Sequence, residues 1–268
     1  ETDQVAQRFL NKLPLIYIYE SQQGHSKAKN SGIKAASGRL IIFTDDDVLP
    51  YPEWISAYWS AYQKKSAGFY FGGPIEGNFE GPKPDKELLK LFLTPHSVKG
   101  LDWGTQSKIL SSNEWFIGPN WACPLEALQM VGGFDTQLGL DPSSGKQRVG
   151  EETDLMKRLS KKGLFPWYVP QARIRHFVPA NKCTLKHIAA RVEAMGFCHS
   201  NTRQKTILEL PLIGGIPLSI YKRVMKLWLK WIFARLRGKR GYGEYMDIRF
   251  LIGTMKGLQN RPVKIFRG

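Results

Sequence analysis

The sequence predicts an α/β protein with an open parallel sheet, followed by a basic helical region. Short apolar runs such as "RLIIF" (39–43) and "GFYFGG" (68–73) alternate with helical patterns such as "PEWISAYWSAYQKK" (52–65). Such alternation implies parallel strands joined by crossover connections. The character of the chain changes after about Pro179, because residues 182–268 hold 18 Lys and Arg against 4 Asp and Glu, or +14 of the net +16.

These observations place a domain boundary at residue 180. Residues 1–180 are expected to form the α/β domain, and residues 181–268 the basic helical region. The remaining predicted strands are "LPLIYIYE" (13–20), "LFPWYVP" (164–170) and "ARIRHF" (172–177), and the remaining predicted helices are "SKAKNSGIKAAS" (26–37) and "GEETDLMKRLSKKG" (150–163).

Composition excludes several classes of protein. Three cysteines, Cys123, Cys183 and Cys198, lie far apart and form no CxxC pair. They indicate neither a disulfide framework nor a zinc site, and reduced thiols favour a cytoplasmic protein. No secretory signal is visible, and no run of about 18 uncharged apolar residues predicts a transmembrane helix.

Three consecutive carboxylates follow a predicted strand in "FTDDDVLP" (43–50). Ligands of open α/β sheets gather at the carboxyl ends of strands. Alternate residues of an extended segment share a face, so Asp45 and Asp47 should converge while Asp46 points away. Two converging carboxylates predict a site for Mg²⁺ or Mn²⁺. Alternatively, the acids cap the turn before Pro50 and the helix that follows it.

Three ordered motifs carry a resemblance to a known family. They are "GHSKAKNSGIKAASGRLIIFTDDDVLPYPEWI", "GPNWACPLEALQMVGGFD" and "GEETDLMKRLSKKGLFPWYVPQARIRH". Together they resemble the family 2 glycosyltransferases over about residues 15–180. The resemblance implies the GT-A fold, a Rossmann-like mixed sheet that binds a nucleotide-diphospho-sugar donor. The usual N-terminal strands of the family are not recognisable before Leu15.

The resemblance assigns the donor side of the site. Asp45 and Asp47 are the ends of the DxD motif, with Asp45 expected near the ribose and donor sugar and Asp47 on the metal. Asp46 lies between them in the same donor-binding segment. Lys29 stands where the family usually has Arg facing the nucleotide, and Asn30 is expected to hold the local backbone there. The implied cofactor is Mg²⁺ or Mn²⁺.

The same resemblance assigns the carboxylate that acts as the catalytic base. In "GEETDL", Glu152 stands at the position of the base of inverting members, and Glu151 precedes it. Transfer from a nucleotide sugar needs such an acid, because the acceptor hydroxyl must lose a proton as the diphosphate departs. Alternatively, Glu151, Glu152 and Asp154 are favourable charges in the first turn of a helix.

Three further residues are candidates with competing interpretations. His176 follows a strand and would complete the metal site, or it is a structural histidine. Asn120 and Trp121 fall where the family shapes the pocket for the donor sugar and acceptor. Trp121 would then stack on a sugar face, although a core tryptophan is an equally good interpretation.

The segment "SIYKRVMKLWLKWIFARLRGKR" (219–240) predicts an amphipathic helix. Its broad apolar face holds Ile220, Val224, Leu227, Trp228, Trp231, Ile232 and Leu236, and its basic face holds Lys222, Arg223, Lys226, Lys230 and Arg237. This pattern is typical of a helix lying on an anionic membrane surface. The alternative is a helix packed on the catalytic domain with its basic face in water.

The sequence therefore predicts a metal-dependent, inverting glycosyltransferase on the cytoplasmic face of a membrane. Its acceptor would be a hydroxyl of a glycan or lipid-linked acceptor in cell-envelope polysaccharide biosynthesis. A catalytically impaired membrane scaffold of the same fold is the first rival. A nucleic-acid-binding protein is a weaker one, because its basic residues should line a groove together with aromatic residues, whereas here they lie on one amphipathic helix.

Overall fold

The computed structural model of the protein describes residues 2–65, 68–84, 86–90, 101–111, 114–141, 146–147, 150–202 and 212–259. Its helices are α1 (Thr2–Gln7), α2 (His25–Ala35), α3 (Trp54–Lys65), α4 (Lys86–Lys90), α5 (Leu125–Met130), α6 (Glu151–Lys161), α7 (Leu185–Thr202), α8 (Leu218–Leu236) and α9 (Tyr242–Gln259). Its strands are β1 (Leu40–Phe43), β2 (Val48–Pro50), β3 (Phe69–Gly72), β4 (Ile75–Phe79), β5 (Lys108–Ile109), β6 (Trp121–Pro124), β7 (Leu140–Asp141), β8 (Lys146–Gln147), β9 (Phe165–Tyr168), β10 (Ile174–Val178), β11 (Leu212–Ile213) and β12 (Ile216–Pro217).

The central sheet has the strand order β1-β6-β3-β9-β5. Strand β3 runs parallel to β9, whereas β6 lies between β1 and β3 and is antiparallel to both. The α/β fold with a mixed sheet is thus confirmed, whereas the parallel sheet predicted from the alternation of elements is only partly present. Strands β1 and β3 run in the same direction, but β6 lies between them in the opposite direction and pairs with both.

Apolar side chains cover both faces of the central sheet. Along β3, Tyr70 belongs to the cluster packed under α2, α5 and α6, and the next residue, Phe71, belongs to the cluster packed under α3. The strands are therefore apolar on both faces, as expected for a sheet between two helical layers. This explains why "RLIIF" and "FYFG" are continuous apolar runs rather than alternating ones.

A smaller sheet extends this core. Strand β10 pairs in parallel with β4 and antiparallel with β2, which directly follows the three aspartates. In this register His176 lies opposite Val48. The small sheet therefore joins the end of the DxD segment to a strand from the far end of the α/β region.

The predicted strand over residues 13–20 is wrong. Residues 14–20 form no regular element, and their apolar side chains are exposed, with Tyr19 at 80%. Within the described residues no neighbouring strand pairs with this segment. A β-branched and aromatic run forms a strand only where a neighbour accepts its backbone hydrogen bonds.

Helices α7 and α9 cross at very short range. A Cβ atom at Gly196 of α7 would lie 1.9 Å from the Phe250 carbonyl oxygen, and one at Gly253 of α9 would lie 1.8 Å from that of Glu193. Glu193 also forms ion pairs with Arg249 and Lys256 of α9. Because glycine has no side chain, the two backbones come into contact at these positions.

Helix α8 lies where the sequence predicts a helix, but it is only half covered. It packs against α9, and none of its residues is fully buried. In the part of the chain that the structure describes, no helix is both long and apolar enough to cross a bilayer.

Candidate active site

Two carboxylates and one imidazole converge beyond the end of β1. The ligand atoms of Asp45, Asp47 and His176 all lie within 4.8 Å of one another. Asp46 is exposed and is not part of this cluster. The structure therefore places the two ends of the DxD motif together and adds His176 to them, as the sequence predicted for a metal site.

Strand pairing brings His176 to the aspartates. The backbone N–H of Phe177 donates to the carbonyl oxygen of Asp47 over 2.8 Å, which continues the ladder between β2 and β10. Side chains alternate along β10, so Ile174, His176 and Val178 point inward while Arg175 points to solvent. The alternation that buries the apolar residues of β10 thus also aims His176 into the site.

The cluster is suited to a cation. Asp47 Oδ1 lies 3.1 Å from His176 Nε2, yet it is buried and accepts no hydrogen bond in the described structure. Burial raises the pKa of Asp45, the charge of Lys29 opposes this increase, and the charge of Asp47 adds to it. Unsatisfied oxygen atoms and mutual repulsion would both be relieved by a metal ion bound between these side chains.

A second carboxylate cluster lies at the start of α6. Lys29 Nζ donates to Glu152 Oε1 over 2.6 Å and lies 3.7 Å from Glu151 Oε1. Lys29 also lies 5.2 Å from the centre of the Phe134 ring. The resemblance placed Lys29 against the nucleotide, but in this structure its ammonium group is paired with Glu152.

The two glutamates have opposite pKa shifts. Burial and the charge of Glu152 raise the pKa of Glu151 to about 7, against a partial offset from Lys29. Burial acts in the same direction on Glu152, but the charge and hydrogen bond of Lys29 outweigh it and lower the pKa of Glu152. Burial alone would lower the pKa of Lys29, whereas Glu152, Glu151 and Asp45 raise it. At neutral pH Glu152 is therefore ionised and lies beside the positively charged Lys29.

The third acid of "GEETDL" has a structural contact instead. Asp154 accepts a hydrogen bond of 2.8 Å from Arg158 Nε one turn later on α6. Arg158 also donates to the carbonyl oxygen of Val131 over 2.5 Å and so ties α6 to the end of α5. Asp154 thus supports the helix, whereas Glu151 and Glu152 face the site.

Helix α2 contacts the region around the glutamates through one row of polar residues. Asn30 Nδ2 donates to the Phe134 carbonyl oxygen over 2.9 Å, and Asn30 Oδ1 accepts from the Phe134 N–H over 2.8 Å. Ser26 Oγ donates to the Leu138 carbonyl oxygen over 2.7 Å. Ser26, Lys29 and Asn30 occupy positions i, i+3 and i+4, so they share a helix face. Asn30 does hold backbone, but that of a distant loop.

Sequence reasoning missed residues that give the glutamates space and a neighbour. A Cβ atom at Gly118 would lie 2.8 Å from Glu152 Oε1, and one at Gly139 would lie 3.5 Å from the Glu151 carboxyl carbon. Burial lowers the pKa of Arg191 on α7, and the negative charge of Glu151 partly opposes this decrease. The one local sequence signal for the surroundings of the glutamates was the i, i+3, i+4 spacing of Ser26, Lys29 and Asn30 on α2.

Asn120 is wholly used by the core, so its expected role in the sugar pocket is corrected. Its Oδ1 accepts 2.7 Å hydrogen bonds from both Trp54 and Tyr58. Its Nδ2 donates to the carbonyl oxygens of Pro74 and Ala172 over 2.9 and 2.8 Å. The buried amide has no donor or acceptor left for a ligand, and it instead joins α3 to two loops of the sheets.

Trp121 is likewise a core residue rather than a platform for a sugar. Its side chain is fully buried, stacked on Phe43 at 4.5 Å between ring centres and edge-on to Phe134. Because the ring is fully buried, neither of its faces is open to a sugar. Trp121 nevertheless contributes indirectly, because it packs against the last residue of β1, just before the aspartates.

Comparison with known proteins gives a match to a family model over part of the chain and two similar solved structures. The family model described as "Glycosyl transferase family 2" matches residues 1–109, and no curated protein sequence matches the chain. A mannosyltransferase from Pyrobaculum calidifontis, solved with GDP-Man and Mn²⁺, aligns with a TM-score of 0.54 and 16% identity over 97% of this chain and 75% of its own. GalNAc-T7, solved with UDP, GalNAc and Mn²⁺, aligns with a TM-score of 0.48 and 14% identity over 78% of this chain and 43% of its own.

The match and the fold agree with the motifs. The family match covers α2, β1 and the three aspartates, while Glu152 and His176 lie beyond its last residue. The mannosyltransferase alignment covers nearly the whole chain and shows the fold. The GT-A fold is thereby confirmed, and the resemblance to family 2 is confirmed over residues 1–109.

Proposed function

We propose that this glycosyltransferase, which carries a family 2 segment on a GT-A fold, is a metal-dependent inverting enzyme. It would transfer a sugar from a nucleotide-diphospho-sugar donor to an acceptor hydroxyl. One observation carries the proposal: the ligand atoms of Asp45, Asp47 and His176 lie within 4.8 Å of one another, while Lys29, whose charge acts on Asp45, donates a hydrogen bond to Glu152. The cation cluster and the glutamate pair are therefore treated as one site.

The metal would be held by Asp45, Asp47 and His176, whose ligand atoms already converge. When bound, the ion would neutralise the negative charge of the departing nucleoside diphosphate. Two carboxylates and one imidazole suit Mn²⁺ better than Mg²⁺, which prefers a shell of oxygen atoms. Asp45 is the exposed member of the cluster, and we propose that the donor approaches from its side.

Glu152 would take the proton of the acceptor hydroxyl. Its lowered pKa keeps the carboxylate ionised at neutral pH, and Lys29 supplies the charge that does so. A single displacement inverts the anomeric carbon and needs a base for the acceptor but no protein nucleophile. Glu151, whose pKa is raised to about 7, would stay partly protonated and limit the repulsion beside the base.

The donor class rests on analogy with the mannosyltransferase structure, which contains GDP-Man. Lys29, whose charge acts on both Asp45 and Glu152, is the cation we propose for contact with a nucleotide phosphate. The acceptor would be a glycan or a lipid-linked glycan of the cell envelope. We keep catalysis in residues 1–180 and assign residues 181–268 to placing the enzyme at the cytoplasmic face of the membrane.

A core cluster connects these two proposed parts. Val178 of β10 packs with Ile188 and Ala189 of α7 and with Met246 of α9. The helices would therefore hold the catalytic part in a fixed orientation at a surface. Such a connection is expected if the helical region positions the enzyme rather than forming an independent unit.

A donor panel tests the proposed function. Thermal unfolding is measured with GDP- and UDP-sugars, each with Mn²⁺ and with a chelator, and the donors that stabilise the protein are then assayed for sugar transfer and donor hydrolysis. Stabilisation that requires both metal and nucleotide, followed by turnover, is the expected result. Metal-dependent binding without turnover of any donor would favour the scaffold of the same fold.

A further inference from the structure

We infer that the outer face of α8 is a docking surface for an anionic lipid bilayer. The outer face consists of Met225, Leu229, Ile232, Phe233 and Leu236, all of them exposed. The inference is independent of the catalytic proposal, because it depends only on the surface of this helix.

Helix α8 has two apolar stripes, and only one of them is covered. Val224, Leu227, Trp231 and Ala234 are partly buried on the side that packs against α9. The ring centres of Trp231 and Tyr245 are 6.4 Å apart. A Cβ atom at Gly241 would lie 2.9 Å from the Trp231 ring. The covered stripe thus has partners within the chain.

The outer face runs along the opposite side of the same helix. Met225, Leu229, Ile232 and Leu236 recur at spacings of four, three and four residues, so they form one line. Exposure reaches 59% at Phe233 and 77% at Leu236. Large apolar side chains aligned on a solvent-facing helix indicate an interaction surface rather than scattered exposure.

A line of positive charge accompanies the outer face. Lys222, Lys226 and Lys230 recur every four residues beside it, and all three are exposed. In the described part of the chain they form no ion pair with an acidic side chain. Their charge is therefore available to an external partner.

The apolar outer face and the lysines beside it together favour a lipid surface as the partner. An apolar line and a parallel basic line along one straight helix match the boundary between acyl chains and anionic headgroups. At 1.5 Å per residue, α8 would lie along the interface for about 28 Å. Because α8 has no residue fully buried in the fold, binding would require no unfolding.

This surface differs from the one expected from the sequence. The helical pattern alone grouped Trp228 and Trp231 on one membrane-facing side. In the structure Trp231 faces the fold, and Trp228 contacts it edge-on while remaining 45% exposed. The residues expected to enter the bilayer are those of the outer face instead.

Vesicle co-sedimentation of the full chain tests the apolar part. The vesicles contain phosphatidylcholine alone or phosphatidylcholine with about one third phosphatidylglycerol. Leu229→Gln with Phe233→Gln should weaken binding to the anionic vesicles by about 10-fold or more, because both side chains lose their apolar insertion. Ile55→Gln, at an exposed apolar site on α3, is the matched control and should bind as the parent does.

A second pair of variants tests the charge. Lys226→Glu with Lys230→Glu should weaken binding to anionic vesicles by at least about 30-fold. Lys161→Glu with Lys162→Glu makes the same change in net charge at the end of α6 and should have little effect. Circular dichroism checks that every variant keeps the parental helix content and melting temperature.

The outcome separates lipid from other occupants. Binding of the parent only to anionic vesicles, lost in both α8 pairs and retained in both controls, supports the proposal. No binding by the parent, or binding that both α8 pairs leave unchanged, overturns it. Self-association of the parent that is lost in the outer-face pair, without vesicle binding, would assign the surface to a second copy and also overturn it.

Discussion

The two carboxylate clusters of the site differ in how their charge is balanced. Within the described residues, no lysine or arginine forms an ion pair with Asp45 or Asp47, and His176 Nε2 lies 3.1 Å from Asp47 Oδ1. Glu152, in contrast, has Lys29 at 2.6 Å. The first cluster has no lysine or arginine within ion-pair distance among the described residues, while the second has Lys29 in direct contact.

This difference separates two kinds of chemistry. Converging carboxylates without an internal counterion are stabilised by a metal ion and are suited to bind one. A carboxylate with an internal counterion remains ionised while buried, which is what a general base requires. The two clusters are therefore expected to respond differently to substitution, to metal and to pH.

The largest effect is expected for Asp47→Asn. Loss of this carboxylate should weaken Mn²⁺-dependent nucleotide binding by more than about 100-fold, since even outer-shell partners of metal ligands are worth about 10- to 100-fold. Asp46→Asn is the matched control, because Asp46 lies outside the cluster. Calorimetric titration measures both, and equal losses would show that the aspartates do not divide as the structure indicates.

Glu152→Gln should lower kcat by about 10² to 10⁴ while donor binding remains near that of the parent, because a positioned base acts on the reaction and not on the donor. Single-turnover kinetics with a bound donor measures the change. Asp154→Asn serves as the control, since Asp154 pairs with Arg158. A larger loss in Glu151→Gln than in Glu152→Gln would transfer the role of base to Glu151.

Lys29→Met should move the acid limb of the kcat profile to higher pH. Lys29 lowers the pKa of Glu152, so without it the base becomes protonated at a higher pH and activity is lost sooner on acidification. Lys29→Arg keeps the charge and should retain the parental limb. A limb that stays in place in Lys29→Met would mean that another group sets the ionisation of the base.

The smallest effect concerns stability. Glu151 has its pKa raised to about 7 from a usual value of 4.5. The folded state therefore gains from the bound proton below the unfolded pKa and loses that contribution as pH rises through about 7. Glu151→Gln should raise the melting temperature relative to the parent more at about pH 8 than at about pH 5. Glu126→Gln, at an exposed site on α5, should show no such difference.

Local patterns were enough to predict much of the fold. The apolar run before the aspartates became β1, and the helical patterns over residues 52–65 and 150–163 became α3 and α6. Each of these elements has a continuous apolar run or a helical repeat of its own. The predicted strand over residues 13–20 failed because strand formation also depends on a neighbour, which a local pattern does not report.

The site was predictable as a set of residues but less so as a set of contacts. Spacing and resemblance named Asp45, Asp47 and His176, which the structure brings together. The pairing of Lys29 with Glu152, 123 residues apart, depends on how α2 packs against the start of α6. The same limitation applied to Trp121, whose chemistry suits both a sugar and a core, so that only packing decides between them.

Anomalous scattering from crystals soaked with Mn²⁺ and a nucleoside diphosphate tests the central claim most directly. The account predicts one manganese peak bounded by Asp45, Asp47 and His176, and none at Glu151 and Glu152, where Lys29 already supplies the positive charge. A manganese peak between the two glutamates, or a bound nucleotide diphosphate with no peak at the aspartates, would contradict it.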